Sequence, residues 1–485
     1  MFGGMPMDIT NIAADGLAAA EDQKAGYCDI RHETIRDEGL SYSDGEPDPI
    51  ESSFSAGWAV RLLIDGAWGF ASSDDPAMSI DKLVVRAASV AKASAKLQKE
   101  PVVLAPAPVQ KGEYTSSFTT DPFSVPLKEK IDYLADLDAA MGGYASINSR
   151  SCFASFRKID KWFVSSGGSQ MHQILMQTGA GFTVGQMKSR RERAERSYPR
   201  PSGQYACAGY ELLDQLNMKQ HIPQMVDEVG QLLTGIPCPQ KTTTLVLAGD
   251  ILSLVIHESV GHPLELDRVF GTERNFSGIS FATPDNLDTL QYGSKLINVV
   301  NDPTVEHGLG SFGWDDEGIQ SRQTHLIKDG ILTGYLSSRE TAARIARTSS
   351  GCMRSDGWKN LPLVRMTNTI LEPGDKTFEQ LISEVDEGIY MATPTSWSID
   401  DLRKNFQFGC QIGWEISGGK LGQVIKDPTF SGCTTQFWGN CEAIGNTSLY
   451  ELRGTPNCGK GQPGQNARTA EGSSPARFGQ IEVGG

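Results

Sequence analysis

The sequence is poor in the features that would place it at a membrane or on nucleic acid. Its longest apolar stretches, such as Leu245 to Ile256, are broken by Gly249, Asp250 and Ser253. None approaches the roughly 20 residues that a bilayer-spanning helix needs. Met1 to Ala20 has neither a basic start nor an apolar run, so no export signal is expected there. Basic residues are in deficit: 44 Lys and Arg against 59 Asp and Glu leave a net charge of −15. That argues against a broad surface for nucleic acid or anionic lipid. The one basic run, Lys188 to Arg196, holds Arg190, Arg191 and Arg193 but is interrupted by Glu192 and Glu195, and reads as a solvated helix or loop face. The nine cysteines have no paired spacing, which fits a reducing compartment better than a disulfide framework. A cytoplasmic protein is expected. Histidine is scarce as well, with seven in the chain, so two in one short motif carry weight.

A chain of 485 residues is too long for one ordinary core and is expected to form two or three domains. Its 52 glycines favour a turn-rich architecture with much strand. Residues 1 to about 25 read as a loosely held arm or a first helix. Alternation from Tyr27 to Glu38, a strand near Ala59 to Leu63, a turn at Asp65-Gly66 before Ala67 to Ala71 and helical spacing over 81–98 describe an N-terminal α/β domain, 1–100. The Pro-rich stretch Pro101 to Pro108 reads as a linker into a middle α+β region, 101–236. That region is predicted to hold a helix from Leu127 to Met141, strands from Tyr144 to Met187 turning at Gly167-Gly168, and a helix over 209–234 interrupted at Pro223. Pro237 and Pro239 mark the next boundary. The remainder, 237–485, is strand-rich, with hairpins at Asp329-Gly330 and Gly418-Gly419 and a capping box at Ser337 to Glu340 opening a helix into Arg347. The predicted fold class is α+β: an N-terminal α/β region, then a mostly antiparallel β C-terminal domain.

The chemistry gathers at His257-Glu258-Ser259-Val260-Gly261-His262. Asp250 is a suitable N-cap for the helix that leads into it. Neutral imidazoles bind zinc, and a carboxylate beside the ion can take a proton from the metal's water. The spacing is one residue longer than the familiar i, i+4 pair, which puts the histidines about 140° apart on a regular helix. They converge if the helix ends, for which Gly261 and Pro263 supply a reason, Pro263 biasing His262 away from the α region. A π-bulge would also bring them together. Another geometry pairs Glu258 with His262 as ligands and leaves His257 without a role. Cys458, in a glycine-rich loop with Lys460 nearby to favour thiolate, is the best candidate for a third ligand. Gly454 to Lys460 nearly matches a phosphate loop, but Gly461 replaces the magnesium-holding hydroxyl and Gln462-Pro463-Gly464 cannot open the helix.

With these segments, and with Tyr27-Cys28-Asp29-Ile30-Arg31, His262-Pro263-Leu264-Glu265, Asp315-Asp316-Glu317-Gly318, Arg365-Met366-Thr367-Asn368-Thr369 and Cys458-Gly459-Lys460-Gly461-Gln462, the chain resembles the TldD/PmbA family of metalloproteases, on its TldD-like, motif-bearing side. The resemblance runs from about Gly26 to the end. It implies Zn2+ held by His257, His262 and Cys458, with Glu258 as general base, and a metal-carrying C-terminal β domain. It also implies action on extended or unfolded peptides, leader peptides among them, and a dimer with a PmbA-like subunit or with itself. Pro263 departs from the family's usual glycine. Outside the resemblance, the acidic triplet reads as a turn before a strand, Arg365 and Asn368 could hold substrate backbone or a loop, and His307 and His325 read as surface or structural. Two alternatives remain. One is a zinc peptidase of the dipeptidyl-peptidase III type, completed by a glutamate in place of Cys458. The other is a non-catalytic, zinc-stabilised peptide-binding subunit.

Overall fold

Alternation of β-type and charged residues produces long strands in the first half of the chain. A computed structural model describes residues 9–189 and 192–484. Tyr27–Ser43 pairs antiparallel with Glu51–Ile64 on one side and with Ser149–Ser165 on the other. The sheet continues through Gln170–Met187, with Ala67–Ser73 and Lys111–Thr115 at its edges. The turn at Asp65 and Gly66 has φ of 50° and 75°, both in the left-handed region that two-residue hairpins need. Helices Ile9–Asp22 and Ile80–Ala95 cover the first strands, packing Ala13, Leu83, Val84 and Ala87 on Ile30, Val60 and Leu62. One sheet thus runs through residues on both sides of position 100. The Pro-rich stretch is tied down: Val102 N–H donates to Gly66 O and Ala105 N–H to Arg339 O.

Several local expectations shift. The second helical segment breaks at Asn217, in the left-handed region at φ 45°, and Pro223 lies inside an unbroken helix, Met218–Thr234. Asn tolerates that conformation, so the break falls on it. The capping box forms between Ser338 and Thr341 and opens a helix of only Arg339–Ala343. In the basic run, Arg190 and Arg191 lie outside the described residues. Arg193 and Arg196 belong to strand Arg193–Tyr198, and Arg196 is buried against Glu228 at 2.6 Å.

The C-terminal half contains two large sheets, antiparallel in most of their pairings, and a two-stranded ribbon of Met353–Arg354 with Leu363–Val364. In the larger, Asn405–Ser417, Glu387–Ile399, Lys241–Leu247, Ala476–Val483 and Thr429–Cys433 pair in that order. The last strand returns to the first through Asn405↔Cys433 to Gly409↔Thr429, which closes the ring. Closure leaves no free edge within those five strands, while Lys420–Lys426 and Ile236–Pro237 extend from Asn405–Ser417 outside the ring. The six-stranded sheet ends in the hairpin Glu451–Lys460 with Gln465–Ser473. Lys241–Leu247 feeds directly into the helix Gly249–Ile256, which is buried in the largest core among Leu245, Ile389 and Met391. No helix among the described residues is long and apolar enough to cross a membrane.

The two halves meet through buried charge. Arg61 contacts Asp29 at 2.7 Å and Glu317 at 3.4 Å; Asp316 contacts Arg31 at 3.4 Å and Lys161 at 2.8 Å. Asp315 accepts N–H bonds from Glu317, Ile319 and Met353, while burial and Glu317 push its carboxyl up to about 8. Asp316 and Glu317 are therefore a latch onto the N-terminal sheet. Removing one partner of such a buried pair costs about 3–5 kcal/mol. The Tyr27 to Arg31 segment belongs to the same latch.

Candidate metal centre

The helix into the centre begins two residues before the sequence suggests. Ala248 is its N-cap residue, and Asp250 lies inside, its Oδ1 accepting from Ile251 N–H at 2.7 Å. From His257 to Gly261 the helix widens into a π turn, and His262 N–H donates to His257 O, five residues back. This settles the spacing: residues five apart stack on a π turn as residues four apart do on an α-helix. The bias of Pro263 does not prevail, since His262 is helical at φ −61°, ψ −44°, and a short 3-10 turn His262–Leu264 follows.

The π turn leaves backbone groups outside the normal ladder, and side chains take them up. Ser259 Oγ donates to Val255 O at 2.6 Å and accepts from Trp438 Nε1 at 2.9 Å. Tyr292 Oη donates to Ser259 O at 2.5 Å. Gly261 is needed for close approach rather than for termination: a Cβ there would lie 1.9 Å from Met366 Sδ.

His257 and His262 stand edge to face with ring centroids 4.8 Å apart. Their ligand atoms and Cys458 Sγ lie within 4.8 Å of one another, and all three residues are buried. No other such trio of His, Cys or carboxylate side chains is found among the described residues. Cys458 Sγ is 3.5 Å from His262 Nε2. The cysteine sits on the strand Glu451–Lys460, opposite Ala467 in the hairpin, not in a loop.

Each histidine is fixed through its other nitrogen. His257 Nδ1 pairs with Glu471 Oε1 at 2.7 Å, and His262 Nδ1 with Glu265 Oε2 at 2.8 Å. Glu471 also accepts from Thr469 and Thr455 hydroxyls, both at 2.9 Å. Carboxylates placed this way set the tautomer and orient Nε2 toward a metal. Neither glutamate was singled out from the sequence as a partner. Glu265 stands three residues after His262, a readable signal; Glu471 arrives across 214 residues with none. Glu471→Gln is expected to lower zinc affinity about 10- to 100-fold with the fold intact, measured by competition with a chromogenic chelator; unchanged affinity would remove the bracing role.

Burial alone would raise the Cys458 thiol, but His257, His262 and Arg365 overcome it and hold the thiol well below its ordinary value. The cation beside it is Arg365, not Lys460. Arg365 donates to the carbonyls of Cys458 and, at 3.3 Å, Gln465, bracing the hairpin. Lys460 is buried among Asp267 at 2.7 Å, Glu273 at 3.3 Å and Glu265 at 3.4 Å. Asn368 holds a loop, donating to Asp302 O and Ser311 Oγ. His307 bonds Cys207 O through Nδ1 at 3.0 Å, and His325 is exposed on Thr324–Lys328. Glu258, next to His257, is buried and accepts from Arg403 at 2.6 Å. Arg403 itself has φ 61°.

The sequence pattern of the PmbA/TldA metallopeptidase C-terminal domain matches residues 240–485, and that of PmbA/TldA metallopeptidase domain 1 matches residues 28–91. A metalloprotease of Methanothermobacter thermautotrophicus is 27% identical over 469 residues, 96% of each chain. A metalloprotease of Methanocaldococcus jannaschii is 29% identical over 459 residues, 93% of this chain and 95% of its own. Among solved structures, TldE from Thermococcus kodakarensis superposes with a TM-score of 0.72 at 15% identity, over 98% of this chain and 100% of its own.

Proposed function

Because the chain belongs to the PmbA/TldD metallopeptidase family, we propose that it is a zinc-dependent peptidase hydrolysing extended or unfolded peptides, with His257, His262 and Cys458 as metal ligands and Glu258 as general base. The observation that carries this is the meeting of three buried ligand atoms within 4.8 Å of one another, beside a glutamate. Two imidazoles and a thiolate suit zinc, and the thiolate disfavours magnesium or calcium, which take oxygen ligands. Zinc held there would polarise a scissile carbonyl and acidify a water.

The chain's own residues divide the remaining work. Glu471 and Glu265 hold the imidazoles in register. Glu258 takes the proton from the attacking water and delivers it to the leaving amine. Arg403 keeps that carboxylate placed through its 2.6 Å bond. The Cys458 strand is the outermost of its sheet, and an extended peptide added along such an edge is bound mainly by its backbone. Loose sequence preference follows. Assembly into a dimer, with itself or with a metal-free relative, is proposed on the family resemblance.

Purified protein is expected to contain zinc, to cleave an unstructured peptide, to lose cleavage in 1,10-phenanthroline and to regain it with stoichiometric zinc. Zinc-loaded protein that binds unfolded peptides and never cleaves them would replace this reading with that of a binding subunit.

A further inference from the structure

A cleft of about 720 Å³, open mouth included, separates the N-terminal sheet from the C-terminal half. Its floor is one face of three adjacent strands. Ile35, Ile159 and Leu175 are direct cross-strand neighbours there, and all three are only half-buried. The opposite wall includes Phe312, Trp314 and the hairpin that carries Cys458, through Pro456 and Ala467. Ala467 is the register partner of Cys458, so the cleft adjoins the metal centre.

Two arginines on that wall are uncompensated. Neither Arg354 nor Arg468 has a carboxylate within ion-pair distance among the described residues. Arg354 donates to Arg468 O and lies over the Phe312 ring at 5.7 Å; Arg468 lies over Tyr205 at 5.9 Å. Burial, and then Arg365 for one and Arg157 for the other, lowers each to about 10, so both stay charged at neutral pH. The acids nearby are already engaged: Asp316 with Arg31 and Lys161, Glu33 with Lys161, and Asp356 with the Asn466 N–H. Three further groups on the cleft walls lack partners, the donor Arg468 Nε and the acceptors Gln177 Oε1 and Glu33 Oε2. A carboxylate with a neighbouring amide N–H would satisfy Arg468 Nε and Gln177 Oε1.

From this geometry we infer that the cleft is a carboxylate-anchoring subsite for peptide, with Arg354 and Arg468 as the anchoring residues and the apolar row Ile35–Ile159–Leu175 as the surface on which the adjoining side chains rest. The inference rests on the peptidase reading for its ligand class. The shared chemistry is a carboxylate, supplied by the peptide's C-terminus or by an acidic side chain. Charge-assisted bidentate contacts are the strong ones at such a site, and the apolar floor excludes competing water.

The test is calorimetric titration of zinc-loaded Glu258→Gln protein with three N-acetylated peptides of one alanine-leucine sequence. One has a free C-terminal carboxylate, one is amidated, and one is amidated with glutamate as its last residue. At least one carboxylate peptide is expected to bind about tenfold or more tightly than the plain amide, and that preference is expected to fall in Arg468→Gln and in Arg354→Gln. The tighter of the two identifies the source of the carboxylate. Equal binding of all three overturns the inference, whether or not the arginine variants fold. So does a preference that survives both substitutions in protein with unchanged melting temperature. Carboxylate-dependent binding alongside wild-type protein that cleaves nothing would remove the peptidase reading and leave the subsite; cleavage without any carboxylate preference would do the reverse.

Discussion

Replacing Glu258 by alanine is expected to lower peptide cleavage by about two to four orders of magnitude, the range that a positioned general base contributes, while zinc content stays at the wild-type level. The second half of that expectation follows from geometry, because Glu258 is not among the three residues whose ligand atoms converge. The alanine variant carries a complication that the structure makes explicit. Arg403 would lose the carboxylate 2.6 Å from its guanidinium although its Nε is already without a partner, and leaving a buried charge unpaired costs about 3–5 kcal/mol. Lost activity could then reflect a displaced loop. Glu258→Gln separates the two causes: it keeps the shape and an acceptor oxygen for Arg403 but cannot accept a proton from water. Both variants are expected to be inactive, and the glutamine variant to melt closer to wild type. A glutamine variant that keeps wild-type turnover, with zinc bound, would end the assignment of Glu258 as base.

How much of this was readable in the sequence depends on the range of the interaction. Local signals carried well: the turn at Asp65-Gly66, the hairpin at Asp329-Gly330 and the strand from Tyr27 are set by residues within a few positions. The His257 to His262 motif was readable as a pair in need of a distortion, and the π turn was one of two distortions open. Choosing between them required Tyr292, Trp438 and Met366, which stabilise the widened turn from 33, 179 and about a hundred residues away. Asp250 looked like a cap because its type suits that position; the chain instead starts the helix earlier, where Gly249 fits against Ser473 O. The acidic triplet illustrates the general difficulty. Three adjacent acids in a sequence suggest solvent, and only the arrival of Arg31, Arg61 and Lys161 from the other half makes the burial of Asp316 and Glu317 affordable, while Asp315 is met by backbone N–H groups. The same holds for Lys460, whose neighbours in sequence point to the thiol while its neighbours in space are Glu265, Asp267 and Glu273.

Cys458→Ser is expected to reduce zinc affinity by more than about a hundredfold, beyond what loss of a supporting hydrogen bond produces. Serine is close in size to cysteine, so the hairpin pairing of residue 458 with Ala467 and the Arg365 bond to its carbonyl should persist; what is lost is the thiolate. The competing arrangement, in which a glutamate completes the site, has two candidates at hand, Glu265 and Glu471. Both are committed to histidine Nδ1 atoms, at 2.8 and 2.7 Å. Glu265 is held further by Lys460 and Arg268, at 3.4 and 3.6 Å, and Glu471 by two threonine hydroxyls. Either would have to abandon an imidazole in order to reach a metal, weakening one ligand while adding another. The measurement is zinc stoichiometry and affinity in Cys458→Ser beside Glu471→Gln. A serine variant that loses zinc more completely than the glutamine variant assigns the third ligand to the cysteine. A serine variant with full zinc retention would transfer that role to a glutamate, and with it the site would belong to the other class of six-residue-motif peptidases.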